Sequence, residues 1–201
     1  MSMEDIISAD VVKNLMEKEG KTRGVALKNH REFILKEKGP EGLKIFEDAM
    51  ANVGYPLKHK DLQEMSFYPI GLEIVELLVI KKLFNFDDKK IEEMGAFEAR
   101  LSLVMKIFFK YFVSVKLLAQ QAPEMWTKSY TIGDFKVKEW SEKDKYAIIT
   151  IENFNLHPVH CIQMGGYISS IVKMVARGNV SCQETKCIHK GDDHHEFLLK
   201  W

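Results

Sequence analysis

An excess of charge of either sign is missing from this 201-residue chain, in which 29 lysines and arginines face 29 aspartates and glutamates. Without a basic face to neutralise phosphates, direct nucleic-acid binding has no electrostatic basis. Long apolar runs are missing too: none approaches the roughly 18 residues that a membrane-spanning helix requires. The N-terminus, Met1-Ser-Met-Glu-Asp5, lacks the basic-then-apolar build of a secretory signal, so a cytoplasmic location is expected. Cysteine is scarce. Its 3 copies are odd in number and clustered, which argues for reduced thiols or metal ligands over a disulfide framework. No glycine-rich phosphate loop follows a strand pattern and no Gly-x-Ser-x-Gly elbow occurs. These absences leave no evident cofactor motif or acid–base set, and an enzyme is not expected.

What the sequence does hold is apolar mass, 46% of its residues, enough for one domain with a substantial core. Residues 1–20 read as a short, partly docked leader ending at Gly20, and residues 21–201 as a single ligand-binding domain. Apolar spacings of three and four over Lys21–Gly54 predict two amphipathic helices separated by a turn at Gly39-Pro40. Leu72–Phe84 is apolar nearly all round, the mark of a buried helix. Helices are expected over Lys89–Arg100 and Leu101–Gln121, the second ended by Ala122-Pro123. After Trp126 the period shortens toward two, predicting strands over Tyr130–Trp140 and Tyr146–Phe154. His157-Pro158 opens a further helix to about Arg177, and Val180–Cys187 with His195–Trp201 form a second hairpin turning at Lys190-Gly191-Asp192. The expected fold class is α+β: a helical N-terminal two-thirds packed on an antiparallel sheet of about four strands, with a C-terminal helix and hairpin.

Chemistry concentrates in the last forty or so residues. Cys161, Cys182 and Cys187 and four of the seven histidines lie between His160 and His195, in company with Glu184. Cys187 and His195 stand on the two arms of a tight hairpin and can converge across its mouth, Glu184 lies three residues before Cys187, and Cys161 would complete the set from the preceding helix. Thiolates and imidazoles in a set of about four suit zinc, and four protein ligands close the coordination shell, which predicts a structural role over a catalytic one. Cys182 falls outside the set. A nucleophilic pairing of Cys161 with His157 or His160 would need an oxyanion hole and an orienting partner, neither of which is evident.

Cys161-Ile-Gln-Met-Gly-Gly166-Tyr167-Ile-Ser169, followed by Glu184-Thr-Lys-Cys187-Ile-His-Lys-Gly191-Asp192-Asp-His-His195-Glu-Phe197, resembles the C-terminal signature of the 4-vinyl-reductase-type small-molecule-binding domain. That domain shares a superfamily with the sensing modules of phenol- and xylene-responsive activators, haem nitric-oxide-binding domains and TRAPP trafficking subunits. The resemblance implies a zinc held by Cys161, Glu184, Cys187 and the residue at 195. Here position 195 is histidine where the pattern has cysteine, and the adjacent His194 leaves the register open by one residue. The haem branch fits poorly, since no Tyr-x-Ser-x-Arg clamp is present and no histidine stands between His59 and His157. Gly24, Gly39, Tyr68-Pro69 and Gly95 sit where the superfamily tends to have such residues.

The resemblance further implies a pocket for a small apolar or aromatic ligand against the helices of residues 72–121, with Phe108, Phe112, Trp140 and Tyr167 as wall residues. By residue type alone these aromatics are ordinary core. The expected function is a small-molecule sensor acting through a homodimer or a separately encoded effector protein, because the chain ends at Trp201 directly after the signature. A structural adaptor holding an acyl chain and a subunit of a tetrapyrrole-reducing enzyme are the alternatives.

Overall fold

The computed structural model describes residues 7–101, 114–176 and 178–201. Among them the chain forms six helices and two antiparallel sheets, the α+β arrangement expected. Helix α1, Ala9–Met16, begins where the Ser8 hydroxyl accepts a hydrogen bond from Val11 N, and it buries Val12 and Leu15. Strand β1 (Lys21–Arg23) pairs with β2 (Phe67–Pro69) in a two-stranded ribbon. Between them, α2 covers Gly24–Asn52 as two helical stretches that meet at a kink at Gly39-Pro40, where the turn between two helices was expected. Gly39 takes φ 69°, a left-handed value that glycine adopts without a Cβ penalty, and Pro40 restarts the helix at once.

Helix α3 (Ile70–Leu83) is buried on nearly every side, and α4 follows as Asp88–Leu101. The next described helix, α5, is Val115–Ser129, which corrects the prediction of one helix over Leu101–Gln121. Ser114 is extended (φ −135°, ψ 147°) and its hydroxyl accepts from Leu117 N at 3.3 Å, so a new helix starts there. Pro123 does not stop it. The inward row Leu118, Ala122, Trp126 continues across the proline at four-residue spacing, and packing of that row overrides the lost backbone hydrogen bond. Residues 102–113, which include Phe108 and Phe112, lie outside the described residues.

The main sheet has the order β3-β4-β6-β5: Asp134–Ser141, Tyr146–Glu152, His195–Lys200 and Ser181–Lys186. Its first strand begins four residues later than the alternating pattern suggests. Thr131 N bonds Lys21 O at 3.0 Å and Tyr130 bridges Thr22, so this stretch is spent tying the small ribbon to the rest. Helix α6, Pro158–Ala176, lies between sheet and helices.

The crossing of α4 and α6 depends on two glycines, one from each helix. A Cβ at Gly95 would stand 1.9 Å from the Gln163 carbonyl oxygen, and one at Gly166 would stand 2.0 Å from that of Glu92. Gly165, next in the same helix, has open space around it. Gly166→Ala is therefore expected to destabilise by about 3 kcal/mol, forcing the helices apart, whereas Gly165→Ala should stabilise by up to ~1 kcal/mol through helix propensity. Urea denaturation of the two variants checks this; a destabilised Gly165→Ala or a neutral Gly166→Ala would contradict the packing.

Candidate metal centre and ligand cavity

Strand β6 alternates burial, with His195, Phe197 and Leu199 turned inward, so the pleat turns His195 toward the core and His194 away from it. His194 bonds Asp193 instead, which resolves the one-residue ambiguity of the sequence in favour of His195. The imidazole of His195 donates from Nε2 to the Phe154 carbonyl at 3.0 Å. Nδ1 lies 3.1 Å from Glu184 Oε1 and 3.6 Å from Cys161 Sγ. Cys187 joins from the hairpin turn, where Asp192 Oδ2 accepts from Cys187 N at 2.8 Å and Gly191 takes φ 101°. The spacing Cys-x-x-x-Gly-Asp is thus a turn closed on its own first residue. One ligand atom from each of Cys161, Glu184, Cys187 and His195 lies within 4.8 Å of every other.

Burial pushes the thiol of Cys161 far above the usual range, and the neighbouring Glu184 and Cys187 push it further. Burial and Glu184 also raise the Cys187 thiol. Two thiols, a carboxylate and an imidazole nitrogen therefore point at one small volume. A dication held there would favour the thiolate forms of Cys161 and Cys187. Cys182 is not part of the group; it is half-buried opposite Leu199, and burial lifts its thiol to about 12. His189 packs against His195 with ring centroids 5.7 Å apart.

A second feature is a cavity of about 440 Å³ whose described walls come from the start of α2, from α5 and α6, and from the sheet. Leu118, Trp126, Phe135, Ile149, Met164 and Ile168 give it a mainly apolar lining. Tyr167 lines it as expected. Trp140 does not: it pairs with Ala147 on the edge strand β3 and packs into the core elsewhere. The tryptophan that does is Trp126, held by bonds from Nε1 to the carbonyls of Ile132 (3.0 Å) and Gly133 (2.9 Å). Its four-residue spacing from Leu118 and Ala122 was the available signal, masked by reading Pro123 as a helix end.

Under the cavity lies a charged cluster that the sequence reading missed. His30 Nδ1 is 2.7 Å from Glu76 Oε2, and its Nε2 is 3.7 Å from Glu98 Oε1. Glu98 Oε2 accepts from Gln163 Nε2 at 2.7 Å. Glu73 accepts from the Tyr130 hydroxyl at 3.2 Å and faces His160 Nε2 at 3.4 Å. Burial alone would lower the pKa of His30, but the bond to Glu76 and the charges of Glu98, Glu76 and Glu73 raise it to about 9. Burial raises Glu98 to about 7 against the pull of His30 and Gln163. For Glu73, burial is outweighed by His160, His30 and Thr22, and its pKa stays below the ordinary range. The signal was legible: Glu73 and Glu76 are two carboxylates three residues apart inside an otherwise apolar helix.

No family matches the sequence, and no curated protein matches it either. Solved structures do resemble the fold. An H-NOX protein from S. oneidensis in the Fe(II)NO ligation state superposes with a TM-score of 0.67 at 11% identity, over 89% of this chain and 98% of that one. An Fe(II) unliganded H-NOX mutant from K. algicida gives 0.63 at 10% identity, over 89% and 95% of the two chains. Similarity at this level of identity concerns architecture, and the chain adopts the fold seen in H-NOX domains.

Proposed function

We propose that this chain is a small-molecule-binding sensor domain of the 4-vinyl-reductase type, in which a structural zinc at Cys161, Glu184, Cys187 and His195 staples the C-terminal hairpin to α6. The observation that carries the reading is the cavity: about 440 Å³ with largely apolar described walls, a size and lining suited to a small apolar or aromatic ligand. The fold, shared with domains whose structures hold Fe(II) and NO, supports a binding role. Haem is not part of the proposal, because the described wall of the cavity presents neither an imidazole nor a thiolate as an axial ligand. Zinc fits the donor set, and when bound it would hold two secondary-structure elements together without an open position for substrate. Output would pass through a homodimer or a separate effector protein.

Mass spectrometry of the natively purified protein, before and after denaturation, tests the binding role. A small aromatic or apolar molecule released on denaturation is expected, and Ala122→Trp, which puts an indole into the cavity, should abolish its retention while leaving the fold intact. A released acyl chain would favour the adaptor reading, and a tetrapyrrole the reductase reading. Protein that carries nothing and binds no apolar probe would sink the proposal.

A further inference from the structure

Resting on that reading of the cavity, we infer that the ligand it selects is a protonated amine on an aromatic body, the ammonium seated against Glu98 and the body against Trp126, Tyr130 and Phe135. Glu98 is part of the cavity wall, only 3% exposed, and its Oε1 has no hydrogen-bond partner. Its other oxygen is taken by Gln163. A buried carboxylate oxygen left without a donor is costly, and a ligand N–H is the group that would satisfy it.

The surrounding charges favour a cation over a neutral donor. His30 from α2, Glu73 and Glu76 from α3 and Glu98 from α4 share one field. His160 from α6 faces Glu73, and the Tyr130 hydroxyl donates to that same carboxylate. Three carboxyls thus stand against two imidazoles, so with Glu98 ionised the cluster lacks at least one cation even if both imidazoles are protonated. An ammonium would supply it, and a ligand carboxylate would add a fourth anion. The cations at the mouth are already committed: Arg23 Nε donates to the Lys128 carbonyl at 2.7 Å with its guanidinium 3.8 Å from the Phe67 ring centre, and Lys128 Nζ pairs with Glu124 at 2.7 Å. The aromatic wall completes the picture. Trp126 lies 4.6 Å from Tyr130 and 5.4 Å from Phe135 between ring centroids, and electron-rich faces of this kind attract cations.

Tryptamine, tryptophol and indole-3-acetate share one body and differ only in the polar end, so calorimetric titration of the zinc-loaded protein with each at pH 7.5 isolates the polar contact. Tryptamine is expected to bind at least tenfold more tightly than tryptophol, with indole-3-acetate weakest. Glu98→Gln should remove that preference and leave tryptophol unchanged. If Glu98→Gln does not fold, the unsubstituted protein serves: tryptamine affinity should rise roughly tenfold from pH 6 to pH 8 as Glu98, near 7, ionises, while tryptophol affinity stays flat. Equal binding of tryptamine and tryptophol would overturn the amine inference and leave the cavity reading standing. Failure of all three to bind at millimolar concentration would overturn both.

Discussion

Replacing Cys187 with serine is expected to strip the protein of zinc and to lower its melting temperature by roughly 8–16 °C. The figure follows from linkage: a metal free at about a thousand times its dissociation constant stabilises the state that binds it by ~4 kcal/mol, and each kcal/mol is worth roughly 2–4 °C in a domain of 150–250 residues. Chelation of the unsubstituted protein should produce a drop of similar size. The loss should be local before it is global. Amides of Ser181–Lys186 and His195–Lys200 are expected to exchange first on chelation, because those strands meet α6 at the candidate metal group, while Ile70–Leu83 is held by apolar burial and the Glu73 and Glu76 contacts away from it. Elemental analysis of protein prepared without chelator, with melting curves of both proteins, decides the matter. Substoichiometric zinc, or a serine variant that keeps both metal and stability, would remove the staple from the account.

His30→Leu is the second substitution with a large expected effect, about 3–5 kcal/mol at pH 8, because it leaves buried carboxylates without their cation. Its pH dependence separates charge from packing. In the native state the imidazole titrates near 9 against an ordinary 6.5, so its contribution is complete below about 6.5 and fades as pH rises through 9. Glu98 works in the same direction: raised from 4.5 to about 7, it favours the folded state under acid conditions and penalises it progressively as pH climbs from 4.5 to 7. The unsubstituted protein should therefore lose stability between about pH 5 and pH 9 through this pair. In the leucine variant the deficit should be largest at pH 5, where the imidazolium's contribution is complete, and smaller at pH 8, where that contribution has begun to fade. Urea denaturation at the two pH values tests this. An equal deficit at both would mean that His30 matters only as filler.

These two experiments fall on opposite sides of what the sequence disclosed. The convergence of Cys161, Glu184, Cys187 and His195 was legible because it is local: Glu184, Cys187 and His195 belong to one hairpin, and Cys161 lies in the first turn of the helix just before it. The alternation of β6 even contained the choice between His194 and His195, since only one of two adjacent residues can face inward. The charged cluster was opaque for the opposite reason. His30, Glu76, Glu98 and Gln163 come from four helices spread over more than a hundred residues, and no spacing rule connects them. Burial of Leu72–Phe84 was read correctly, yet the two glutamates within it were passed over as if surface-facing. The cavity was placed on the right helices in part: Tyr167 lines it, Trp126 was overlooked, and Trp140 faces elsewhere. Gly39-Pro40 did mark an interruption, a non-helical glycine between two helical stretches, whereas Ala122-Pro123 misled, because packing of the row Leu118, Ala122, Trp126 carries the helix across the proline.

Helix α6 is held on several sides. Its first turn holds Cys161, Gln163 binds Glu98, Gly166 abuts the α4 backbone, and Met164, Ile168 and Val172 face the cavity. A rod gripped at its end, along its flank and across its back has no freedom to roll or slide. The opposite wall is different in kind: α5 meets the cavity through Leu118, Ala122, Met125, Trp126 and Ser129, carries a proline at its centre and begins at an extended serine. Occupancy of the cavity would therefore be registered as displacement of one wall against a stationary other, in the manner of a jaw closing on an anvil. Any partner that reads the bound state would find its signal on the outer face of α5, with α6 as the fixed reference.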